Sequence, residues 1–241
     1  MATVDFPNGQ MLLGDCFERM AELPDASVDM ILADLPYGTT QNKWDSVLPL
    51  DQLWAEYWRV AKLNAAILLT ASQPFTCTLG ASAIGALKYA WVWEKNIVTG
   101  HLNARIMPMK KHEDVLVFSN GKTPYFPQGT APFNKVTRRG SNGANFGKSG
   151  TENLQTTENY PRSILAFATD IDRTHPTQKP VALFEYLIRT YTNPGDLVLD
   201  NTAGSGTTAV AAIQAGRRFV CIERDPGYFW KSVERVAEAS V

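Results

Sequence analysis

One stretch limits the fold more than any other: Leu197-Val-Leu-Asp200-Asn-Thr-Ala-Gly204-Ser-Gly206-Thr-Thr-Ala, an apolar strand, a glycine turn and the start of a helix. Glycines let the backbone pass close under a ligand, and the first amides of the following helix face any polar group placed there. Further on, Phe219-Val-Cys-Ile-Glu223 sets an acid at the end of the next strand, where it can accept hydrogen bonds from both hydroxyls of a ribose. A dinucleotide dehydrogenase shares this layout but requires a third glycine. Here Gly204-Ser-Gly206 runs on into Thr207-Thr208-Ala209.

The rest of the chain fits an α/β reading. Gln10–Leu13, Val28–Ala33, Ala65–Thr70, Tyr89–Glu94, Asp114–Phe118, Leu197–Asp200 and Phe219–Ile222 are branched or aromatic runs that predict strands. Leu50–Ala61, Pro74–Gly85, Pro180–Thr190, Thr207–Ala215 and Pro226–Ala239 carry apolar residues at helical spacing. The expectation is a Rossmann-like sheet of seven strands, mostly parallel with one antiparallel, and helices on both faces. Ser119–Thr174 is rich in Gly, Asn, Thr and Pro and reads as an insert, with Gly140–Gly150 too flexible for a core.

A chain of 241 residues accommodates one large domain with such an insert. No apolar run nears the roughly 18 residues of a membrane span, and the first residues lack a leader pattern, so the cytoplasm is the expected location. Cys16, Cys77 and Cys221 are far apart and read as buried thiols. With His101, His112 and His175 they form no metal-ligand pattern, so neither disulfide nor metal is expected. The net charge is −1, but Lys95–Lys148 holds nine Lys and Arg against Glu113 and Asp114 alone. That concentrated basic charge suits a polyanion better than the total does.

A second motif, Met30-Ile-Leu-Ala-Asp34-Leu35-Pro36-Tyr37-Gly38, is a buried strand ending in an acid, a proline-fixed turn and an aromatic ring. It resembles the catalytic Asp-Pro-Pro-Tyr motif of the amino-group DNA methyltransferases. His175-Pro-Thr-Gln-Lys-Pro180 is similar to that family's cofactor-tail motif, and Leu13-Gly-Asp15-Cys16 to its adenosine-contacting loop. With the glycine turn, four blocks occur in the order of the circularly permuted β-type enzymes. The resemblance covers nearly everything outside Ser119–Asn159. It implies residues 1–118 as the catalytic half, 119–174 as the target-recognition insert and 175–241 as the cofactor-binding half.

The resemblance also implies an activity, transfer of a methyl group from S-adenosylmethionine to the N6 amino group of adenine in double-stranded DNA. The amino lone pair is delocalised into the ring. Asp34 and the Leu35 carbonyl would each accept a hydrogen bond from it and localise that pair, while Pro36 aims the turn. Tyr37 would stack on a base swung out of the duplex. For the cofactor, the implied contacts are Asp15, Cys16, Asp34, Thr177, Gln178, Asp200, Thr202, Ala203 and the turn Gly204, Ser205, Gly206, Thr207, Thr208, with Lys179 on the methionine carboxylate and Glu223 on the ribose.

Two positions depart from the family pattern. Leu35 replaces a proline but acts through its backbone, and Asn201-Thr202 replace Pro-Phe, which removes aromatic packing beside the cofactor. Arg105, Lys110, Lys111, Arg138 and Arg139 are the residues expected on the DNA backbone, and the Phe133–Gly150 loop is where base-reading residues are sought. A homodimer is implied by resemblance only. The alternatives are methylation of the cytosine N4 amino group, whose enzymes usually place Ser at the Asp34 position; methylation of RNA or a protein glutamine; and a DNA-binding module without catalysis.

Overall fold

A computed structural model describes residues 2–38, 46–138, 152–170 and 178–240. The chain divides into two compact units, residues 1–126 with 163–241, and residues 127–162. The first unit contains β1 (Thr3–Phe6), β2 (Gly9–Leu13), β3 (Val28–Ala33), β4 (Ala61–Ala71), β5 (Leu87–Thr99), β6 (Lys110–Phe118), β9 (Ile164–Ala166), β10 (Leu197–Asp200) and β11 (Arg218–Glu223). The second unit contains the antiparallel pair β7 (Ala131–Arg138) and β8 (Glu152–Glu158).

In a strand covered on both faces, successive side chains must enter different cores. Along β3, Met30 and Leu32 enter one apolar cluster, Ile31 and Ala33 the other, and all four are fully buried. The first cluster is completed by α4 (Val181–Tyr191), α5 (Thr207–Gln214) and α6 (Pro226–Ala239), through Phe184, Leu187, Val210 and Phe229. The second is closed by α1 (Cys16–Ala21), α2 (Leu50–Val60) and α3 (Phe75–Ser82), through Met20, Leu53, Tyr57 and Leu79. Helices therefore cover both faces, as the alternation predicts.

Sheet order is β1-β2-β11-β10-β3-β4-β6-β5-β9. The seven expected strands form its body, and among them β6 alone runs antiparallel to its neighbours. The expected total of seven is corrected to nine by two edge strands, β1 and the three-residue β9. Strand order reverses between β10 and β3, the position at which open α/β sheets leave a crevice beyond their strand ends. β4, β5 and β6 extend past their apolar segments, and α3 stops at Ser82, three residues short of Gly85.

The second unit is narrower than the expected insert of 119–174. Residues 119–126 belong to the sheet-bearing unit, where the Phe126 amide donates to the Thr190 carbonyl and the Lys122 amide to Asn64 Oδ1. Beyond residue 162, β9 pairs with β5. The flexible segment expected at Gly140–Gly150 lies outside the described residues.

Candidate active site

The carboxyl ends of adjacent parallel strands bring the acids of separate motifs together. In sheet order β2, β11, β10 and β3 deliver Asp15, Glu223, Asp200 and Asp34, and β4 adds Thr70. Because β6 is antiparallel, its amino-terminal half lies at this same end, and pairing of Trp93 with Glu113 and of Ala71 with Asp114 brings in Glu113. These residues surround a cleft of about 690 Å³ that Gly14–Cys16, Asp34–Tyr37, Trp93, Lys95, Glu113, Gln178, Lys179, Asp200–Ser205, Glu223 and Tyr228 also line.

Asp34 is the most heavily contacted group. Its Oδ1 accepts from Tyr37 Oη at 2.8 Å, from Lys179 Nζ at 2.9 Å and from Thr70 Oγ1. Both hydroxyl hydrogen bonds to this carboxylate among the described residues, and the nearest approach of Lys179, fall on Oδ1. Lys179 Nζ is also 2.9 Å from Glu113 Oε2, and Lys95 Nζ pairs with Glu113 Oε1. The cluster thus alternates in sign, Asp34, Lys179, Glu113, Lys95. Burial alone would raise the Glu113 carboxyl, but the Lys179 and Lys95 ammonium groups outweigh it and hold it below the usual range. Burial likewise opposes the Lys179 charge, and Asp34 and Glu113 more than compensate, raising its pKa.

The Tyr37 ring stacks on Phe75 with centroids 5.5 Å apart, and Lys179 Nζ stands 5.5 Å from the Tyr37 centroid. Leu35 turns its side chain into the core at 3% exposure, so its backbone is the part available to the cleft. Thr202 Oγ1 donates to the Asp34 carbonyl at 3.0 Å, tying the glycine loop to the turn that follows β3.

On the other side of the switch point, Glu223 Oε2 accepts from the Gly204 amide at 2.8 Å and Oε1 from the Asp225 amide at 2.7 Å. Burial pushes the Glu223 carboxyl up, partly offset by those amides. Asp15 caps α1, accepting from the Phe17 amide at 2.9 Å, and burial with the Asp15 charge pushes the Cys16 thiol up to about 11. Gly204 and Gly206 have φ of +53° and +75°, a region that side chains rarely adopt. A Cβ at Gly206 would meet Ser232 Cβ at 3.1 Å, whereas one at Gly204 finds nothing nearer than Thr202 O at 4.0 Å.

The expected cofactor residues divide accordingly. Asp15, Cys16, Asp34, Gln178, Lys179, Asp200, Thr202, Ala203, Gly204, Ser205, Thr207 and Glu223 line the cleft, while Gly206 and the fully buried Thr208 stand behind its wall and shape it. Gln178 Nε2 donates to Asp170 Oδ2 at 3.0 Å. Thr177 lies outside the described residues.

Of the basic residues, Arg105 is exposed and Lys110 is at the cleft, whereas Lys111 Nζ pairs with Glu94 Oε1 at 2.7 Å. Arg138 ends β7, and Arg139 lies outside the described residues. Cys77 is exposed, which corrects the expectation of three buried thiols; it opens on the outer side of the short α3. Among the described residues no group of three His, Cys, Asp or Glu is placed to hold a metal, and no helix is long and apolar enough to cross a membrane.

Sequence reasoning missed Thr70, Lys95 and Glu113, whose positions depend on strand pairing. A threonine near the end of an apolar strand and one of only two acids in a basic segment were the available signals.

Asp200 gives a pH-dependent expectation. Burial pushes its carboxyl up to about 7, against hydrogen bonds from Thr208 Oγ1 at 2.5 Å and the Thr202 amide at 3.0 Å. A carboxyl raised in the folded state penalises folding once ionised, so the penalty grows as pH rises from the usual carboxylate range through about 7. Asp200→Asn should therefore melt above wild type at pH 8, with the difference shrinking toward pH 4. Thr208 can turn its hydroxyl to the Leu32 carbonyl at 3.4 Å and accept from the new amide. Melting curves at several pH values check this; a difference independent of pH would contradict it.

Comparison with known proteins places this geometry in context. A family model described as DNA methylase, of the N6/N4 methyltransferases, matches residues 28–234. The chain is 30% identical over 94% of its length to DNA adenine methyltransferase YhdJ of Escherichia coli (strain K12), covering 82% of that protein. It is 27% identical over 95% of its length to the putative methylase YubD of the same organism, covering 90% of it. Among solved structures, the M1.HpyAVI–SAM complex superposes with a TM-score of 0.66 at 24% identity, covering 95% of this chain and 98% of that one. The cytosine-N4-specific PvuII DNA methyltransferase also gives 0.66, at 16% identity, covering 97% and 91%.

Proposed function

The chain belongs to the N6/N4 DNA methylase family, and we propose that within it this protein transfers a methyl group from S-adenosylmethionine to N6 of adenine in double-stranded DNA. The observation that carries this is the asymmetry at Asp34. Three donors occupy Oδ1, and Oδ2 remains for the substrate's amino group. Adenine is favoured over cytosine by Asp rather than Ser at this position and by the adenine methyltransferase YhdJ among the relatives.

The cleft suits the donor molecule. Glu223 and Asp15 supply acceptors at one end, and the open side of Gly204 lets a ligand lie against the backbone. S-adenosylmethionine, when bound, supplies an electrophilic methyl group on a sulfonium. Glu223 holds the ribose hydroxyls, Asp15 and the Cys16 backbone the adenine ring, and the Gly204–Thr208 turn the methionine portion. Lys179 and Gln178 border that portion, although Lys179 already holds two carboxylates.

At the target base, Asp34 Oδ2 and the Leu35 carbonyl accept the two amino hydrogens and turn the nitrogen lone pair out of the ring. As the new N–C bond forms the nitrogen gives up a proton, and Asp34 is placed to accept it. The Tyr37 ring is the aromatic surface for the extruded base. A base inside the duplex stack cannot reach an acid at the floor of this cleft.

Arg105 and Lys110, with Arg138 and Arg139 of the second unit, are proposed to neutralise phosphates, and residues 119–174 to read the target sequence. Arg105→Glu/Lys110→Glu should weaken DNA binding for all sequences alike and reduce the slope of log affinity against log salt by about two. Fluorescence anisotropy over a salt series measures it, and an unchanged slope removes these residues from the interface.

The function itself is tested by expressing the protein in a bacterial host without DNA methylation and analysing the nucleosides of its genome. N6-methyladenine is expected. N4-methylcytosine would transfer the same geometry to the other amino base.

A further inference from the structure

We propose that Glu113 is a positioning residue for the methyl transfer: held by Lys95, it keeps the Lys179 ammonium on Oδ1 of Asp34, and so keeps Oδ2 open for the amino group. The inference rests on the reading of Asp34 given above and adds to it the device that decides which carboxylate oxygen the substrate meets.

A single carboxylate offers a buried ammonium two oxygens of similar Coulomb attraction, so one acid alone does not fix which oxygen is covered. Lys179 is buried, at 6% side-chain exposure, yet its contact with Asp34 is to Oδ1. The counterpull is visible in the geometry, since Nζ is 2.9 Å from Asp34 Oδ1 and 2.9 Å from Glu113 Oε2, held midway between two acids. Glu113 is itself fixed, because its second oxygen is taken by Lys95 of β5 and its backbone pairs with Trp93 of the same strand. Lys95 in turn rests 5.2 Å from the centroid of Trp93. Tyr37 Oη, 2.8 Å from Asp34 Oδ1 and 3.4 Å from Glu113 Oε2, closes the ring of contacts on the same side. The Tyr37 and Thr70 hydroxyls and the nearest approach of Lys179 all meet Asp34 at Oδ1, and loss of Glu113 removes the second acid that draws Lys179 away from Oδ2. The two acids and two lysines balance in charge, so the arrangement carries no net charge into the cleft.

The test compares wild type, Glu113→Gln, Lys95→Met/Glu113→Gln and Asp34→Ala in methyl transfer to unmethylated DNA, with folding checked by circular dichroism. In Glu113→Gln kcat should fall by about 10- to 100-fold, the range of groups that support a reacting side chain from behind. KM for S-adenosylmethionine and for DNA should stay within about twofold. With one carboxylate partner instead of two, the buried Lys179 loses its proton at lower pH than in wild type. The alkaline arm of the kcat profile should therefore begin to change at lower pH in Glu113→Gln than in wild type.

The double variant removes one charge of each sign and carries the test even if the single variant folds poorly. It should remain slow, because Lys179 is still unrestrained. Recovery of wild-type kcat in the double variant would reduce Glu113 to a counter-charge for Lys95 and overturn the proposal. So would an unchanged kcat and pH profile in Glu113→Gln while Asp34→Ala is inactive. Full activity of Asp34→Ala would instead sink the reading of Asp34 and this inference with it. Methylcytosine from every active protein would overturn the choice of base and leave the Glu113 comparison valid.

Discussion

Asp34→Ala should lower kcat for methyl transfer by about 10³-fold, the upper end of what one preorganised hydrogen-bonding group contributes in a closed site. The alanine removes the oxygen that localises the amino lone pair and the nearest acceptor for the proton released. It does not leave a buried lysine stranded, because Lys179 keeps Glu113 at 2.9 Å. The protein should fold, and its DNA affinity, set by backbone contacts, should stay within about threefold. Single-turnover kinetics with saturating cofactor separate the chemical step from binding. Turnover within about tenfold of wild type would remove Asp34 from the reacting groups.

Lys179→Met should have the largest effect on stability. The side chain is buried at 6% exposure between two carboxylates, and methionine fills the space without the charge. Asp34 and Glu113 then face each other with Lys95 as the remaining cation of the cluster. Removing one partner of a buried ion pair costs about 3–5 kcal/mol. The sign with pH follows from Glu113, which loses the stronger of the two ammonium groups that, against burial, hold its carboxyl below the usual range. The stability given by a lowered carboxylate is present above the usual carboxylate range and lost as pH falls, so the deficit is complete at alkaline pH and fades toward acid pH. Urea unfolding at pH 8 and pH 5 should show the larger deficit at pH 8. A deficit that grows at pH 5 would mean that Lys179 does not pair with these acids.

Local motifs were legible in the sequence because their chemistry is packed into a few adjacent residues. Asp34, Pro36 and Tyr37 follow one apolar strand, and Glu223 ends another, so strand and acid together name the position. The Glu113 relay was not legible, since it depends on antiparallel β6 pairing Trp93 with Glu113 and Ala71 with Asp114 across long stretches of chain. The same cause hid Thr70 and Lys95. The edge strands escaped for a different reason: β9 has three residues, and β1 alternates between exposed and half-buried positions without a fully buried one. Helix α1 has six residues, and the Asp15 that caps it also fits a cofactor-contact reading.

The outer half of β6 opens with Lys110, Lys111 and His112 and that of β5 is largely exposed, so only their buried parts signalled strands. Position 202 was read for what it lacks, an aromatic ring, when its hydroxyl bridges the glycine loop to the Asp34 carbonyl. Lys179 is expected on the methionine carboxylate of the cofactor. In the fold it also pairs with two carboxylates of the protein, which no local pattern around residue 179 announces.

The central claim is tested most directly by incubating wild type with S-adenosylmethionine labelled in its methyl group and unmethylated genomic DNA, then digesting the DNA and identifying the labelled nucleoside. The account predicts label in N6-methyldeoxyadenosine. Label confined to N4-methyldeoxycytidine, or no label in DNA from a folded protein that binds the cofactor, would contradict it.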